Sequence, residues 1–311
     1  MGALFTRPTQ RETDSPPLVF LPPKTNIISP SGASYSFLSR QSYSAELPVY
    51  NTTDAPSSEI ENAVLTIFPI FKTATFSSLL RDDVLTKTWA LPTRNLTITH
   101  QNQSTILTTH EQGGASSVLV SPLTAIKNIF SSLEISQIIS LIEEAQETDP
   151  IEGLLILDPL VTSVIGRTYS YKINGLRLFT PSNPGSVASS ITDNLGVLRA
   201  LYLLIPPKIL IVEKNEPVLT QEEIIQNLLA GRGVIVTGRN PETENLSGDL
   251  TFSTFKIDRL EIVYTRITSA TLAPAFLLHG YGSNTNGKTQ EATLFLWATR
   301  YQPTPESSQA L

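Results

Sequence analysis

The chain has 311 residues, enough for two or three domains that each bury a core of their own. Charged residues make up only 16% against 40% apolar, and the net charge of −6 comes with no cluster of Lys or Arg, which excludes the electrostatic footprint of nucleic-acid or anionic-membrane binding. Zero cysteines exclude disulfides, thiolate metal ligands and thiol nucleophiles, and no stretch approaches the roughly 18 consecutive apolar residues of a membrane-spanning helix.

Residues 6 to about 45 carry Pro8, Pro16, Pro17, Pro22, Pro23 and Pro30 among Ser, Thr and Gln. Such a composition cannot bury enough apolar surface to fold alone, so it reads as a tether, part of it extended around Tyr35 and Phe37. Ser57 or Ser58 then caps a helix whose Ile60, Ala63, Val64, Ile67 and Phe68 form one apolar stripe before Pro69 stops it. Asn95 to Thr99 and Ile106 to Thr109 alternate with period two around a polar Gln101-Asn102-Gln103 and read as a hairpin.

Ser121-Pro122 is a cap with proline at the first helical position, and Leu123, Ile126, Phe130 and Leu133 form its stripe. Asn174-Gly175 between strand-like flanks predicts a second hairpin, because both turn residues need positive φ. A turn at Asp193 to Gly196 leads into Val197 to Ile205. Thr220 with Glu223 is a capping box over Ile224, Ile225, Leu228 and Leu229, with Gly231 as the stop. Phe255 to Tyr264, Ala275 to His279 and Thr293 to Tyr301 read as late strands. Helix followed by antiparallel sheet, repeated, predicts an α+β protein with a short helix covering each sheet.

The order of these signals, from the Ser121-Pro122 helix through the Tyr169 to Phe179 hairpin and the strand pair Val187 to Ile191 and Leu195 to Leu203, continues in the Thr220 helix, Ala230 to Val236, and Phe255 to Tyr264. It resembles uncharacterised membrane-anchored bacterial proteins similar to PepSY-like domains and to the YycH/YycI group of extracytoplasmic regulators. The resemblance spans roughly residues 45 to 303, departs from the PepSY pattern between Ser136 and Leu160, and brings no catalytic residues with it. It implies tandem PepSY-like/YycI-like domains: a tether over 1–45, a helix-plus-hairpin domain over 46–118, a second α+β domain over 119–215 and a third unit over 216–311. It also implies an extracytoplasmic location with membrane contact only through an N-terminal anchor preceding Met1.

Several motifs suggest other chemistry. Gly282 to Thr289 matches the phosphate-loop spacing, in which Lys288 reaches terminal phosphates and Thr289 holds Mg²⁺, but that chemistry needs a helix opening at the lysine, and the alternation after Thr289 is that of a strand. Leu277 to Gly282 looks like a hydrolase oxyanion loop, yet no G-x-S-x-G follows. His100 and His110 fall about 15 Å apart on the predicted hairpin, too far for a metal pair, and His279 is remote in sequence. The doublets Asp82-Asp83, Glu143-Glu144 and Glu222-Glu223 read as solvated surface. No cofactor, metal or catalytic residue is expected.

Tyr169, Tyr171, Tyr202, Trp297 and Tyr301, with Phe179, are the aromatic candidates for a binding surface, although strand aromatics more often fill cores and cross-strand pairs. The expected function is a non-catalytic binding or regulatory ectodomain that recognises a protein or cell-envelope component. The alternatives are a PepSY-like protease inhibitor or chaperone-like module, and an enzyme using the 280–289 loop.

Overall fold

The structure, a computed structural model, describes residues 33–101, 104–111, 121–135, 139–148, 163–179, 188–194, 196–239, 252–268, 270–283 and 289–300. Within them the protein is mainly β: sixteen strands hydrogen-bond into one mixed sheet, with three α-helices packed on it. This corrects the expected tandem of helix-covered α+β domains.

The sheet is organised by its longest hairpin, β14 (Thr254–Thr268) and β15 (Thr271–Ser283). β1 (Ser34–Phe37) runs parallel along the start of β14, and β9 (Leu176–Leu178) runs parallel at Val263 and Tyr264. β2 (Glu46–Thr53) meets β15 at Thr271 and Leu272, while β16 (Thr289–Trp297) pairs with the rest of β15. β12 (Lys208–Pro217) lies outside β2, and β13 (Val234–Arg239) pairs with β16.

From β9 the sheet continues antiparallel through β8 (Val164–Ile173), β10 (Ala188–Asp193), β11 (Leu198–Ile205), β6 (Ser104–Glu111), β5 (Arg94–Gln101), β4 (Val84–Leu91) and β3 (Thr75–Arg81). β7 (Ile139–Thr148) pairs with β8, so a strand lies within the Ser136 to Leu160 stretch, the rest of which is outside the described residues.

Tandem units fail because the cores are shared. Helix α1 (Ser57–Ile67) and helix α2 (Pro122–Ser132) enter one apolar cluster in which Ile60, Val64, Ile126 and Phe130 meet Leu96, Ile98, Tyr169, Leu203 and, from the long hairpin, Tyr264 and Leu272. Segments expected in the first and second domains therefore bury the same surface, and the long hairpin of the third reaches into it through Tyr264 and Leu272. Helix α3 (Gln221–Leu229) lies over a second cluster built from Phe255, Ile257, Phe276, Leu278 and Leu294. The alternate residues Ala275 and Leu277 fall in a third cluster with Val263 and Phe295, as period two requires for opposite faces.

Local signals place several elements where they were read. The Thr220 hydroxyl accepts from the Glu223 amide, Glu223 reaches back to the Thr220 amide, and Gly231 at φ 72° ends the helix. Leu229, expected in the stripe, is 46% exposed. Asn174 and Gly175 take φ 50° and 83° and join β8 to β9. Neither serine start supplies the expected side-chain cap: Pro56 is the N-cap of α1, and Ser121 makes no capping hydrogen bond.

Candidate interaction surface

Of the aromatic residues expected on a binding surface, two are core residues. Tyr169 and Tyr171 are fully buried; the Tyr169 hydroxyl lies 3.3 Å from Ser190 Oγ, and Tyr171 donates to the Leu204 carbonyl at 2.9 Å while packing edge-on against Phe130. Burial, with the Tyr202 phenol adding to it, pushes the Tyr171 phenol well above its ordinary value, so it stays neutral. Both tyrosines fill the core, which corrects their expected place on a surface. Tyr202 is half-buried on β11, and Trp297, also half-buried, packs edge-on to Phe295 at 5.1 Å. Phe179 stacks on Phe295 in the same cluster, and Tyr301 lies outside the described residues.

At the phosphate-loop match, residues 284–288, with Lys288, lie outside the described residues. On either side the chain is strand: Ser283 pairs with Thr289 and Gly282 with Gln290, so β16 rather than a helix opens at Thr289. The glycines have packing reasons. A Cβ on Gly280 would stand 2.1 Å from the Lys256 carbonyl oxygen, and one on Gly282 would enter the Phe252 ring.

His100 pairs in register with Thr105, and His110 with Asn95, at opposite ends of the β5–β6 ladder. His279 joins a polar row in which its Nε2 lies 3.3 Å from Glu261 Oε2 and Arg177 Nε donates to Glu261 Oε1 at 3.0 Å. Among the described residues no group of His, Asp and Glu is placed to hold a metal ion, and no helix is long and apolar enough to cross a membrane. A polar cleft of about 450 Å³ beside α1 is lined by Glu59, Asn62, Thr66, Ser132, Glu134 and Lys208, with Lys208 Nζ 3.1 Å from Glu59 Oε2.

The distinctive surface is the β3 end of the sheet. Direct cross-strand partners share a face, so Phe76, Ser78 and Leu80 stand beside Trp89, Lys87 and Leu85, and these beside Leu96, Ile98 and His100. Helix α1 covers that face from its first residue. Ser57 Oγ lies 2.9 Å from His100 Nε2 and donates to Glu61 Oε1 at 2.8 Å. Lys87 Nζ donates to the same carboxylate at 2.5 Å, and His100 Nδ1 lies 2.9 Å from Thr105 Oγ1.

Burial, then the Lys87 charge, lowers the His100 pKa against the opposing pull of Glu61, so the ring is neutral near pH 7. Burial works against ionisation of Glu61, yet hydrogen bonds from Lys87 and Ser57 hold its carboxyl below the ordinary value. The network pins the start of α1 onto β4 and β5. The helix reaches no further, and β3 is left bare.

All seven residues of β3 are exposed, with Phe76 at 53%, Leu79 at 63% and Leu80 at 70%. The edge carries no proline, its register with β4 is unbroken, and its only charge is Arg81 beside the turn. β12, at the other end of the twelve-strand path, shows the usual guards: two register shifts, Pro217, and Lys208, Glu213, Lys214 and Glu216 along its length. No period-two pattern marks β3 in the sequence. The available signal was Asp82-Asp83, read as a solvated doublet, which takes φ 49° and 61° as the two-residue turn between β3 and β4.

No family model matches the chain, and no curated protein matches it. Among solved structures it is similar to an uncharacterized protein from Eubacterium rectale ATCC 33656, at 10% identity and a TM-score of 0.45, over 87% of this chain and 90% of that one.

Proposed function

We propose that the protein is a binding protein of the cell exterior that accepts an extended strand of a protein partner along β3. The extracytoplasmic placement carries over the expectation drawn from the order of the sequence signals, with which a cysteine-free chain of few charges is compatible. The binding mode rests on one observation, the fully exposed and unguarded β3 edge.

Geometry sets the chemistry of the occupant. In a two-residue hairpin the residues flanking the turn exchange backbone hydrogen bonds, here Arg81 with Val84, and alternate residues do the same. The peptide groups of Phe76, Ser78 and Leu80 therefore face outward. An antiparallel strand added there presents an apolar residue to Phe76, a small one to Ser78 and an apolar one to Leu80. The pattern is apolar-x-small-x-apolar.

Selection of short peptides from a random display library on the immobilised protein tests this. Enrichment of that pattern, with binding lost on Ser78→Pro, is the expected result. Enriched peptides that bind Ser78→Pro equally well would overturn it, and so would the absence of any enrichment.

A further inference from the structure

We infer that β3 also pairs with β3 of a second copy of this chain, giving a two-fold dimer with one sheet running through both subunits. The inference rests on the reading of β3 as an open docking edge and adds the identity of an occupant. The sequence Phe76-Ser77-Ser78-Leu79-Leu80 itself satisfies the apolar-x-small-x-apolar requirement, read in either direction.

Centring the antiparallel pair on Ser78 places Ser78 opposite the second copy's Ser78, and Phe76 opposite its Leu80. These are the three positions whose peptide groups face outward, so the register makes about six intermolecular backbone hydrogen bonds and leaves none of those groups idle. A two-fold axis between the two Ser78 residues, normal to the sheet, keeps the helix-bearing faces on one side. Phe76 and the second copy's Leu80 then cover each other beside Trp89, while Leu79 meets the second copy's Ser77 on the opposite face.

Charge favours the same register. Arg81 stands opposite the second copy's Thr75, so no like charges meet. The acidic turn Asp82-Asp83 runs toward the short 3-10 segment Pro69–Thr73 of the second copy, which carries the exposed Lys72. Sliding the strands by one residue would face the outward peptide groups against inward ones, and a slide by two would lose both Phe76–Leu80 pairs, which the two-fold axis makes equivalent. An interface of one strand per subunit lies below the size of permanent dimers, so association is expected to be weak and concentration-dependent.

Sedimentation equilibrium on the full chain between about 1 and about 500 µM tests the inference. The wild-type chain is expected to pass from monomer to dimer across that range. Ser78→Pro removes an outward N–H without touching the β3–β4 hydrogen bonds, and Leu80→Lys replaces the apolar partner of the second copy's Phe76 with a charge that stays in water. Each is expected to weaken dimerisation at least tenfold, with the melting temperature of the dilute protein unchanged.

Two results overturn the inference: a wild-type chain that stays monomeric throughout, or a dimer that survives both substitutions. Amide exchange at Phe76, Ser78 and Leu80 in the monomer separates this failure from that of the docking edge. Free exchange leaves the edge open to a foreign strand, whereas protection means that it is already covered and both readings fail.

Discussion

Phe76 lies directly opposite Trp89 across the β3–β4 pair, with ring centroids 5.2 Å apart, yet Phe76 is 53% exposed and Trp89 only 6%. Two aromatic residues in contact thus sit on either side of a boundary. Trp89 belongs to the core beneath α1, and Phe76 belongs to a surface that the protein leaves uncovered. The sheet ends one strand beyond its last helical cover.

Truncating the two rings should separate those roles. Trp89→Ala removes a packed indole from the core and is expected to cost about 3–5 kcal/mol in urea unfolding. Phe76→Ala loses only an edge contact, about 0.5–1.5 kcal/mol, and abolishes strand addition. Equal costs for both would mean that Phe76 is covered.

The network under α1 makes stability depend on pH in two steps. His100 has a folded pKa below its ordinary 6.5, so the unfolded chain binds the proton first, and stability falls as pH drops below about 6.5 toward the folded value. Glu61 has a folded pKa below its ordinary 4.5; its contribution is present above 4.5 and is lost as pH falls through the folded value. Melting temperatures across pH 3–8 should show His100→Gln flattening the upper limb and Glu61→Gln the lower. Superimposable curves for wild type and both variants would contradict the network.

The β10–β11 hairpin holds a buried ion pair, with Arg199 Nη2 2.6 Å and Nε 2.7 Å from Asp193 Oδ2, and Asp193 Oδ1 also accepts the Val197 amide. Asp193→Ala leaves the guanidinium charge in the interior and is expected to cost about 3–5 kcal/mol. A loss below about 1 kcal/mol in chemical denaturation would place the pair at the surface.

Gly280 and Gly282 should differ in whether they can be rescued. Gly280→Ala drives a Cβ into the Lys256 carbonyl, and backbone cannot move aside cheaply, so a loss of about 2–3 kcal/mol is expected with no rescue by neighbouring truncations. Gly282→Ala meets only the Phe252 ring, and Phe252→Leu should recover part of its cost. Rescue at both positions, measured by double-mutant cycles, would refute the close approach of β15 to β14.

Legibility from sequence followed the range of the interaction. The Thr220–Glu223 box and the Asn174-Gly175 turn were readable because each is settled within a few residues. Strand partners were not. Period two says that Leu201 and Leu203 share a face, but nothing in it says that β11 pairs with β6, nearly a hundred residues away. The helix-and-sheet repeat reads as separate domains for the same reason, since a stripe such as Ile60, Ala63 and Val64 shows that a helix is covered without showing by what. Tyr171 and Phe76 are both strand aromatics, and only the position of α1 and α2 decides that one is core and the other edge. Adjacent Leu79 and Leu80 also broke the alternation that would have marked β3, because an edge strand with both faces bare has no inside to encode.

Residue-resolved amide exchange along β3 in dilute protein reads directly whether the edge is open. An open edge predicts fast exchange at Phe76, Ser78 and Leu80 and slow exchange at Ser77, Leu79 and Arg81, whose amides pair with β4. Uniform protection of all six would show that another part of the chain already occupies the edge, leaving no place for an added strand.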